Sequence, residues 1–292
     1  MKEHIMYYYN LLDIDSLEKS GCYYYFKCHG RLFSLEYVSN IDKTKKVFEV
    51  LQKVNFNRGY QVIYNIYDEI FTNISNNWYV LFLCNNEKYN ILQDLLHPIN
   101  VTGLFSFNYK FSWNYLWSKK VDYYEYQFNH IYEMYPLIFE SFNYYIGLAE
   151  NAISYFSYNL HSLESFDVFL CHERISYSNY FDPLNVTVDY YARDIAEYIK
   201  FLFFSKKYDA FSFSLFFQKL ELSYNDYILL FSRLLFPSYY FDIYDRIINH
   251  ECNEDALAEV ILLVNDYYLL LQKTFENISY FANIPAIDWI KK

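Results

Sequence analysis

The stretch of sequence that decides the fold is Cys171-His172-Glu173-Arg174-Ile175-Ser176-Tyr177-Ser178-Asn179-Tyr180. Its frame is that of a phosphotransferase catalytic loop, which reads His-x-Asp and carries an Asn five residues after the Asp. His172 and Asn179 stand in the expected places, but Arg174 occupies the position of the Asp, which is the catalytic base. A guanidinium stays protonated wherever a protein is folded, so it cannot accept a proton from an attacking hydroxyl. The sequence therefore predicts a kinase-like shape without kinase chemistry.

The residues after this loop continue the pattern. Asp182-Pro183-Leu184-Asn185 predicts a turn, Val186-Thr187-Val188 predicts a short strand, and Asp189 follows that strand. We therefore expect residues 171–194 to form a degenerate catalytic-loop hairpin.

Composition and charge limit the classes of function. The chain has 292 residues, a net charge of -11 and a pI near 5.1. Binding to a phosphate backbone needs clustered Lys and Arg, so we expect no nucleic-acid partner. The sequence has no apolar stretch long enough to span a membrane and no apolar signal core at its N-terminus, which predicts a cytoplasmic protein.

Aromatic and sulphur-containing residues carry little functional signal. Tyr (37) and Phe (28) make the chain aromatic-rich, at 24%. Both have AT-rich codons, so we attribute this content to mutational bias and do not interpret single Tyr residues as stacking platforms. The five cysteines are scattered without a Cys-x-x-Cys pair, which favours a reducing compartment. Cys22 and Cys28, with His29 beside them, would form a zinc site only with two further ligands, which no spacing in the sequence supplies.

The N-terminal part of the chain has the pattern of a small sheet. Runs with strand character and one helix appear in the order strand, strand, helix, strand, strand, at residues 23–27, 32–38, 43–54, 60–64 and 78–83. This is the order of a kinase N-terminal lobe, and Cys84-Asn85-Asn86 falls at the hinge. We therefore predict an N-lobe at 1–86 and a helical C-lobe at 87–292.

The remainder of the chain has helical periodicity. Helices are predicted at residues 115–135 and 141–158, and a long one at 254–282. Asp194 with Glu197 predicts a capping box at the start of another helix. Ser223 with Asp226 predicts a helix of the same kind, which ends before Pro237.

Three stretches resemble the YutH-type spore-coat-associated proteins, a branch of the CotS and aminoglycoside-phosphotransferase-like group of the protein-kinase-like superfamily. They are Phe142-Asn143-Tyr144-Tyr145-Ile146-Gly147-Leu148-Ala149-Glu150-Asn151-Ala152-Ile153, residues 171–199 with Arg193-Asp194-Ile195-Ala196-Glu197-Tyr198-Ile199 at their end, and Arg233-Leu234-Leu235-Phe236-Pro237-Ser238-Tyr239-Tyr240-Phe241. Residues 284–292 are similar in style to the ends of that group. The resemblance implies a bilobal α+β protein-kinase-like fold, with a small antiparallel-sheet N-lobe containing one main helix and a larger, mostly helical C-lobe. It also implies a link to sporulation, but no established reaction.

The resemblance assigns roles only residue by residue. Asn179 and Asp189 match the two residues that hold magnesium in active members, although Asn179 could instead cap a turn and Asp189 could tether loop backbone. His172 either braces the loop or moves a proton. Glu173 and Asp182 are the two acids to which the role of base could have moved.

The N-lobe lacks two further features of an active enzyme. The strand that should supply a phosphate-binding Lys has Ser34 and Glu36 at that place, and Lys27 on the neighbouring strand is the candidate substitute. Gly21 and Gly30 are the only glycines of the first hairpin, so no Gly-rich loop can close over phosphates.

The sequence thus favours a pseudokinase-type binding or scaffold protein with a degenerate loop (His172, Glu173, Arg174) and no catalytic residue. We expect no cofactor and a protein partner, for which a spore-coat component is one candidate. We also expect spore association if the organism sporulates. The alternative is a divergent magnesium-dependent small-molecule phosphotransferase, which would use ATP with Asn179 and Asp189 as metal ligands. A melting-temperature screen with nucleotide and magnesium separates the two.

Overall fold

The computed structural model describes residues 1–21, 23–56, 58–85, 90–104, 113–131, 133–160, 167–208 and 211–290. The chain divides into two compact units. The first comprises Met1–Phe105 with Phe169–Val188, and the second comprises Ser106–Val168 with Asp189–Lys292. The predicted boundary after residue 86 lies outside the described residues. The division into an N-lobe at 1–86 and a C-lobe at 87–292 therefore stays a prediction.

The first unit is built on an antiparallel sheet. Its strands are β1 (Glu18–Ser20), β2 (Tyr23–Cys28), β3 (Arg31–Val38), β4 (Tyr60–Ile63), β5 (Phe71–Ile74) and β6 (Asn77–Cys84), and its helices are α1 (Lys2–Tyr9), α2 (Ile41–Lys53) and α3 (Ile91–Leu95). The strands pair in the order β1-β2-β3-β6-β4, and β5 pairs with β6 further along. A second, two-stranded sheet consists of β7 (Phe169–His172) and β8 (Val186–Asp189), with a 3-10 turn at Pro183–Asn185 between them.

Local signals account for most of these elements. The predicted hairpin is confirmed, and it turns at His29 and Gly30, which both have positive φ. The predicted helix α2 is capped by Asn40, whose side chain accepts a hydrogen bond from the Lys43 amide at 3.0 Å. The sequence did not predict β5, which lies between β4 and β6 and turns tightly into β6. The short strand β1 and helix α1 were also not predicted.

The two faces of the large sheet are covered by different helices. One face packs against α1, and its buried cluster is Ile5, Tyr9, Ile14, Phe26, Cys28, Phe33, Leu35, Ile74, Tyr79 and Leu81. On the other face, Phe48 of α2 contacts Phe82 of β6, with ring centroids 6.2 Å apart. Ser34 pairs with Phe82 in register, so alternation along β3 places Ser34 and Glu36 on this second face.

The second unit is helical in the part of the chain that the structure describes. Its helices are α4 (Trp113–Ile131), α5 (Pro136–Asn159), α6 (Ala192–Phe204), α7 (Phe213–Lys219), α8 (Tyr224–Leu235), α9 (Ser238–Ile248), α10 (Ala256–Leu262) and α11 (Val264–Ser279). Helix α8 is buried along most of its length and contacts α5, α6 and α11. A helix that is apolar on all sides belongs in the core, and the run Ile228-Leu229-Leu230-Phe231 explains its place. None of the described helices is both long and apolar enough to cross a membrane.

Helix α8 has the capping box that the sequence predicts. The Ser223 hydroxyl accepts from the Asp226 amide at 3.2 Å, and the Asp226 carboxylate accepts from the Ser223 amide at 2.8 Å. The same prediction for Asp194 and Glu197 was wrong. Helix α6 begins at Ala192 without a side-chain cap, which places Asp194 inside the first turn.

The predicted long C-terminal helix is interrupted. Leu263 separates α10 from α11 with a ψ of 5°. The break lets the two pieces bury different faces, because α10 contacts α9 and α5 whereas α11 contacts α7 and α8. No Gly or Pro marks the break, so the sequence held no signal for it.

Candidate functional site

The catalytic-loop segment of the first unit is organised by the side chain of Asn185. Its amide oxygen accepts from the Arg174 backbone N–H at 3.1 Å, and its amide nitrogen donates to the Arg174 carbonyl at 2.8 Å and to the Asn179 carbonyl at 3.0 Å. One side chain therefore ties both ends of the loop. The sequence did not single out Asn185, although it closes the predicted turn.

His172 and Arg174 lie on either side of the acid Glu173. The His172 ring is buried and stacks on Tyr180, with centroids 4.4 Å apart. The Arg174 guanidinium donates to the Glu173 carbonyl at 2.7 Å. These contacts hold the loop in shape, and Arg174 occupies the sequence position where a base would be needed.

Glu173 and Asp182 are the two alternative bases, and their surroundings differ. Glu173 is partly exposed and forms an ion pair with Lys43 of α2. Asp182 is buried, 4% exposed, and its carboxylate accepts from the Leu184 amide at 2.8 Å. Of the two, only Glu173 combines an ion-paired carboxylate with access to solvent.

Asn179 and Asp189, the predicted magnesium ligands, each have local partners. The Asn179 amide oxygen accepts from both the amide and the hydroxyl of Ser176, each at 2.8 Å. Asn179 lies in the first unit and Asp189 in the second. Magnesium binding by the pair stays a prediction.

Within the second unit, the Asp189 carboxylate is surrounded by donors. It accepts from the indole N–H of Trp113 at 3.0 Å, from the Tyr190 amide at 2.8 Å and from the Arg193 guanidinium at 2.7 Å. Among the described residues, no group of three or more His, Cys, Asp or Glu side chains is placed to hold a metal ion.

Glu36 of β3, which the sequence predicts to stand in place of a phosphate-binding cation, is almost fully buried at 1% exposed. The Ser34 hydroxyl donates to its Oε1 at 2.7 Å. Its Oε2 has no donor within the described part of the chain. Burial first, and then the neighbouring Asp182, raise the pKa of Glu36 well above its ordinary value.

The two carboxyl groups of Glu36 and Asp182 must share a proton. Like charges in a buried site cannot both ionise, so one group keeps its proton. Burial also raises the pKa of Asp182, but backbone amides at Leu184 and Asn185 oppose that rise. We therefore assign the proton to Glu36, which then presents a neutral carboxyl group beside the Asp182 carboxylate.

The surroundings of this acid pair are also kept neutral. Burial, followed by the nearby carboxyl groups of Glu36 and Asp182, raises the pKa of the Cys84 thiol to about 12. Burial and Glu36 likewise raise the pKa of Tyr25 and of Tyr60. The sequence predicts that Glu36 is unsuited to phosphate binding, but it held no signal that Asp182 lies beside it.

A second close approach lies one residue before Asp182. Gly59 has a φ of +70°, and a Cβ on it would lie 2.5 Å from the Cβ of Phe181. The Asn85 amide donates to the Gly59 carbonyl at 2.7 Å. The loop between α2 and β4 therefore requires glycine at this position because Phe181 occupies the space of a side chain.

A polar pocket of about 240 Å³ has Asp182, one member of the acid pair, in its wall. Its walls include Lys43 of α2 and, from the loop, Glu173, Asn179, Asp182 and Asn185. Each of these four loop side chains is already bonded to a neighbour within the protein. A ligand that uses them must therefore displace an existing contact.

Comparisons with known proteins agree on one family. The family model described as "Spore coat putative kinase YutH" matches residues 2–262. The Endospore coat-associated protein YutH of Bacillus subtilis (strain 168) is 30% identical over 212 residues, which cover 62% of this chain and 61% of that protein. The match therefore spans less than two thirds of the relative's length.

Solved structures with a similar fold are phosphotransferases. The aminoglycoside phosphotransferase from Alicyclobacillus acidocaldarius is 12% identical, with a TM-score of 0.59, over 92% of this chain and 93% of that one. Spectinomycin phosphotransferase APH(9)-Ia, in complex with ADP and spectinomycin, is 10% identical, with a TM-score of 0.56, over 94% and 96%. At such identities the likeness shows the fold alone, and that fold is kinase-like, as predicted.

Proposed function

Because this chain belongs to the YutH spore-coat family, we propose that it is a kinase-like protein that binds a spore-coat partner and does not transfer phosphate. The name of the Bacillus subtilis relative describes association with the endospore coat. We extend that association to this chain, which would be made in the cytoplasm and then join the spore coat.

The observation that carries the proposal is the buried acid pair. A nucleotide triphosphate brings several negative charges, which active kinase-like enzymes offset with a Lys from the N-terminal sheet and with magnesium. Here β3 presents Glu36 at that place, and Glu36 lies against Asp182. Two acids at this place offer no cation to a phosphate chain, so the site disfavours ATP.

The loop residues support the same conclusion. Arg174 cannot act as a base. Both acceptor directions of the Asn179 amide oxygen are used by Ser176, so binding a metal would first require those hydrogen bonds to break.

One observation favours the second candidate, a magnesium-dependent phosphotransferase that acts on a small molecule. Glu173 is partly exposed and lines the same polar pocket as Asn179. A carboxylate at the mouth of a pocket can accept a proton from a bound hydroxyl. For this chemistry Glu173 would have to leave its ion pair with Lys43.

The two candidates are separated by thermal unfolding with ATP, with and without magnesium. A ligand at about one hundred times its Kd stabilises the folded state by about 2.7 kcal/mol, which shifts Tm by several degrees. We expect no shift for the natural protein under either condition. Transfer of labelled γ-phosphate to a hydroxyl acceptor is measured in the same samples.

A magnesium-dependent rise in Tm together with phosphate transfer would overturn the proposal. In that case Glu173→Gln and Asp182→Asn would show which acid is the base. The partner-binding half is tested with a fluorescent fusion followed through sporulation. We expect it to collect at the spore surface, and a signal that stays uniform in the cell would contradict coat association.

A further inference from the structure

A continuous groove runs along one side of α2 in the first unit. Two adjoining cavities, of about 310 Å³ and about 490 Å³, form it. They share the lining residues Phe48, Gln52, Tyr64 and Ile70, so neither is a separate site. The two cavities together make one groove, which is open to solvent.

The far wall of the groove is the edge of the sheet. Strand β4 is the last strand of the pairing order, so its outer backbone groups have no strand partner in the described sheet. Tyr60 and Val62 of β4 line the groove, and Tyr64 follows them with the same alternation. An unpaired edge beside an apolar groove is the arrangement to which an extended peptide adds as a further strand.

The groove also exposes large aromatic side chains. Tyr64 is 50% exposed and Trp78 is 39% exposed, and both line the larger cavity. Phe48 and Phe71 form the apolar wall beside them. Aromatic side chains that line a concave surface are well suited to pack against apolar side chains of a partner.

The charge around the groove is acidic. Glu49, Asp68 and Glu69 line the larger cavity, and Lys45 is the one cation among its described lining residues. The Lys45 ammonium already lies 5.9 Å from the centre of the Phe71 ring. The excess of carboxylates favours a partner that brings Lys or Arg.

We propose that this groove binds an extended segment of a partner protein in which every second residue faces the groove, and these residues are in turn aromatic or aliphatic and basic. The segment adds to β4, so that its groove-facing apolar side chains enter the groove while its groove-facing Lys or Arg side chains reach Glu49, Asp68 and Glu69. This proposal deepens the proposed function by describing the partner. It rests on the part of the proposed function that concerns partner binding, and it does not depend on the absence of phosphate transfer.

A synthetic probe tests the proposal directly. It is a fluorescein-labelled peptide of about eight residues, the length of a typical strand, that carries Phe and Lys in turn at every second position and Ser at the positions between them. Fluorescence polarisation is expected to show saturable binding. An Ala-Lys peptide, with Ala in place of each Phe, and a Phe-Glu peptide, with Glu in place of each Lys, are expected to bind at least about tenfold more weakly, because each lacks one of the two complementary features.

Backbone methylation distinguishes strand addition from other ways of filling the groove. N-methyl groups on alternate residues of the Phe-Lys probe remove the N–H groups that would face β4, and binding should fall by about tenfold or more. Equal binding of the methylated probe, or of the Ala-Lys peptide, would overturn the proposal.

Protein variants locate the probe. Tyr64→Ala and Glu69→Lys should each weaken binding by about tenfold, since they remove an aromatic wall and reverse a charge. Tyr158→Ala and Glu251→Lys make the same changes at exposed positions in the second unit and should leave binding unchanged. Unfolding curves confirm that each variant is folded. If Tyr64→Ala and Tyr158→Ala behave alike, the groove is not the binding site.

A second copy of the chain is the competing occupant. Sedimentation equilibrium of the natural protein and of Tyr64→Ala should give the same mass. A mass that falls in Tyr64→Ala would assign the groove to self-association and overturn the proposal. The two proposals can fail separately. Phosphate transfer together with probe binding would refute only the proposed function. The absence of both would refute only the proposal that the groove binds an extended segment.

Discussion

Glu36 shows how burial can change the charge of a single residue. A carboxyl group at 1% exposure loses the hydration that stabilises its charge, and its Oε2 has no donor in the described structure. It stays neutral instead, with a hydrogen bond from Ser34 on one side and Asp182 against it on the other. The residue thereby joins β3 to the loop that precedes β8.

Replacement of Glu36 by Gln should make the protein more stable, and increasingly so as the pH rises. The pKa of Glu36 is raised by folding, so its contribution to stability is complete below the unfolded pKa of about 4.3 and is lost as pH rises through the folded pKa. Gln has no proton to lose and offers an N–H donor to Asp182. In that window the difference in unfolding free energy should grow by up to about 1.4 kcal/mol per pH unit.

Urea unfolding at a series of pH values measures this difference. Glu173→Gln is the matched control, because Glu173 is partly exposed and ion-paired. Its stability should not gain in the same way. Parallel pH profiles for Glu36→Gln and the natural protein would show that Glu36 is ionised in the folded state.

Among the elements, the turn before β4 depends on a contact made far along the chain. Gly59 has positive φ, and its missing Cβ leaves room for the Phe181 ring. Gly30, in the turn between β2 and β3, has a similar φ of +73° but nothing within 4 Å of the position of a Cβ. A comparison of Ala substitutions at the two glycines therefore distinguishes the cost of backbone strain from the cost of steric overlap.

Gly59→Ala should destabilise the protein by about 2–4 kcal/mol, because strain at positive φ and overlap with Phe181 add. Gly30→Ala carries only the backbone part, about 1 kcal/mol. Both are measured by urea unfolding at neutral pH. Equal losses for the two variants would mean that Phe181 moves away without cost.

For the molecule as a whole, the high aromatic content has a physical consequence whatever its genetic origin. Many Tyr residues are packed in the two cores, such as Tyr145 on Tyr240 with ring centroids 3.9 Å apart. Burial raises the pKa of Tyr9, Tyr190 and Tyr240 to about 12. An ionised phenol at these positions would lose its hydration, and the hydrogen bonds of Tyr9 with Thr72 and of Tyr240 with Ser141 offset only part of that loss.

We therefore expect cooperative unfolding in alkali. Since folding raises these pKa values, the stability that the Tyr residues contribute is complete below their unfolded pKa of about 10 and is lost as pH rises toward about 12. Tyrosinate absorbance and far-UV circular dichroism should change together along an alkaline titration. Absorbance that rises gradually while the circular dichroism stays constant would contradict this.

Local patterns were sufficient for much of the fold. The β2–β3 hairpin and the capping box of α8 were predicted because neighbours in sequence supply the turn residues and the capping groups themselves. The capping box at Asp194 failed for the opposite reason. There Glu197 pairs with Arg233 at 3.0 Å, a residue from another helix, so a tertiary contact replaced the local one.

By itself, the sequence determined the α+β class and the kinase-like order of elements, since these follow from residue type and spacing. That Arg174 cannot replace the catalytic base and Glu36 cannot replace the phosphate-binding Lys stays a prediction from the sequence. Only the tertiary structure decided that Asp182 lies against Glu36, that Phe181 fills the space beside Gly59 and that α2 leaves a groove along β4. The physical reason is that these contacts join segments far apart in the chain. Their geometry depends on how helices and strands pack, which no local pattern of residues records.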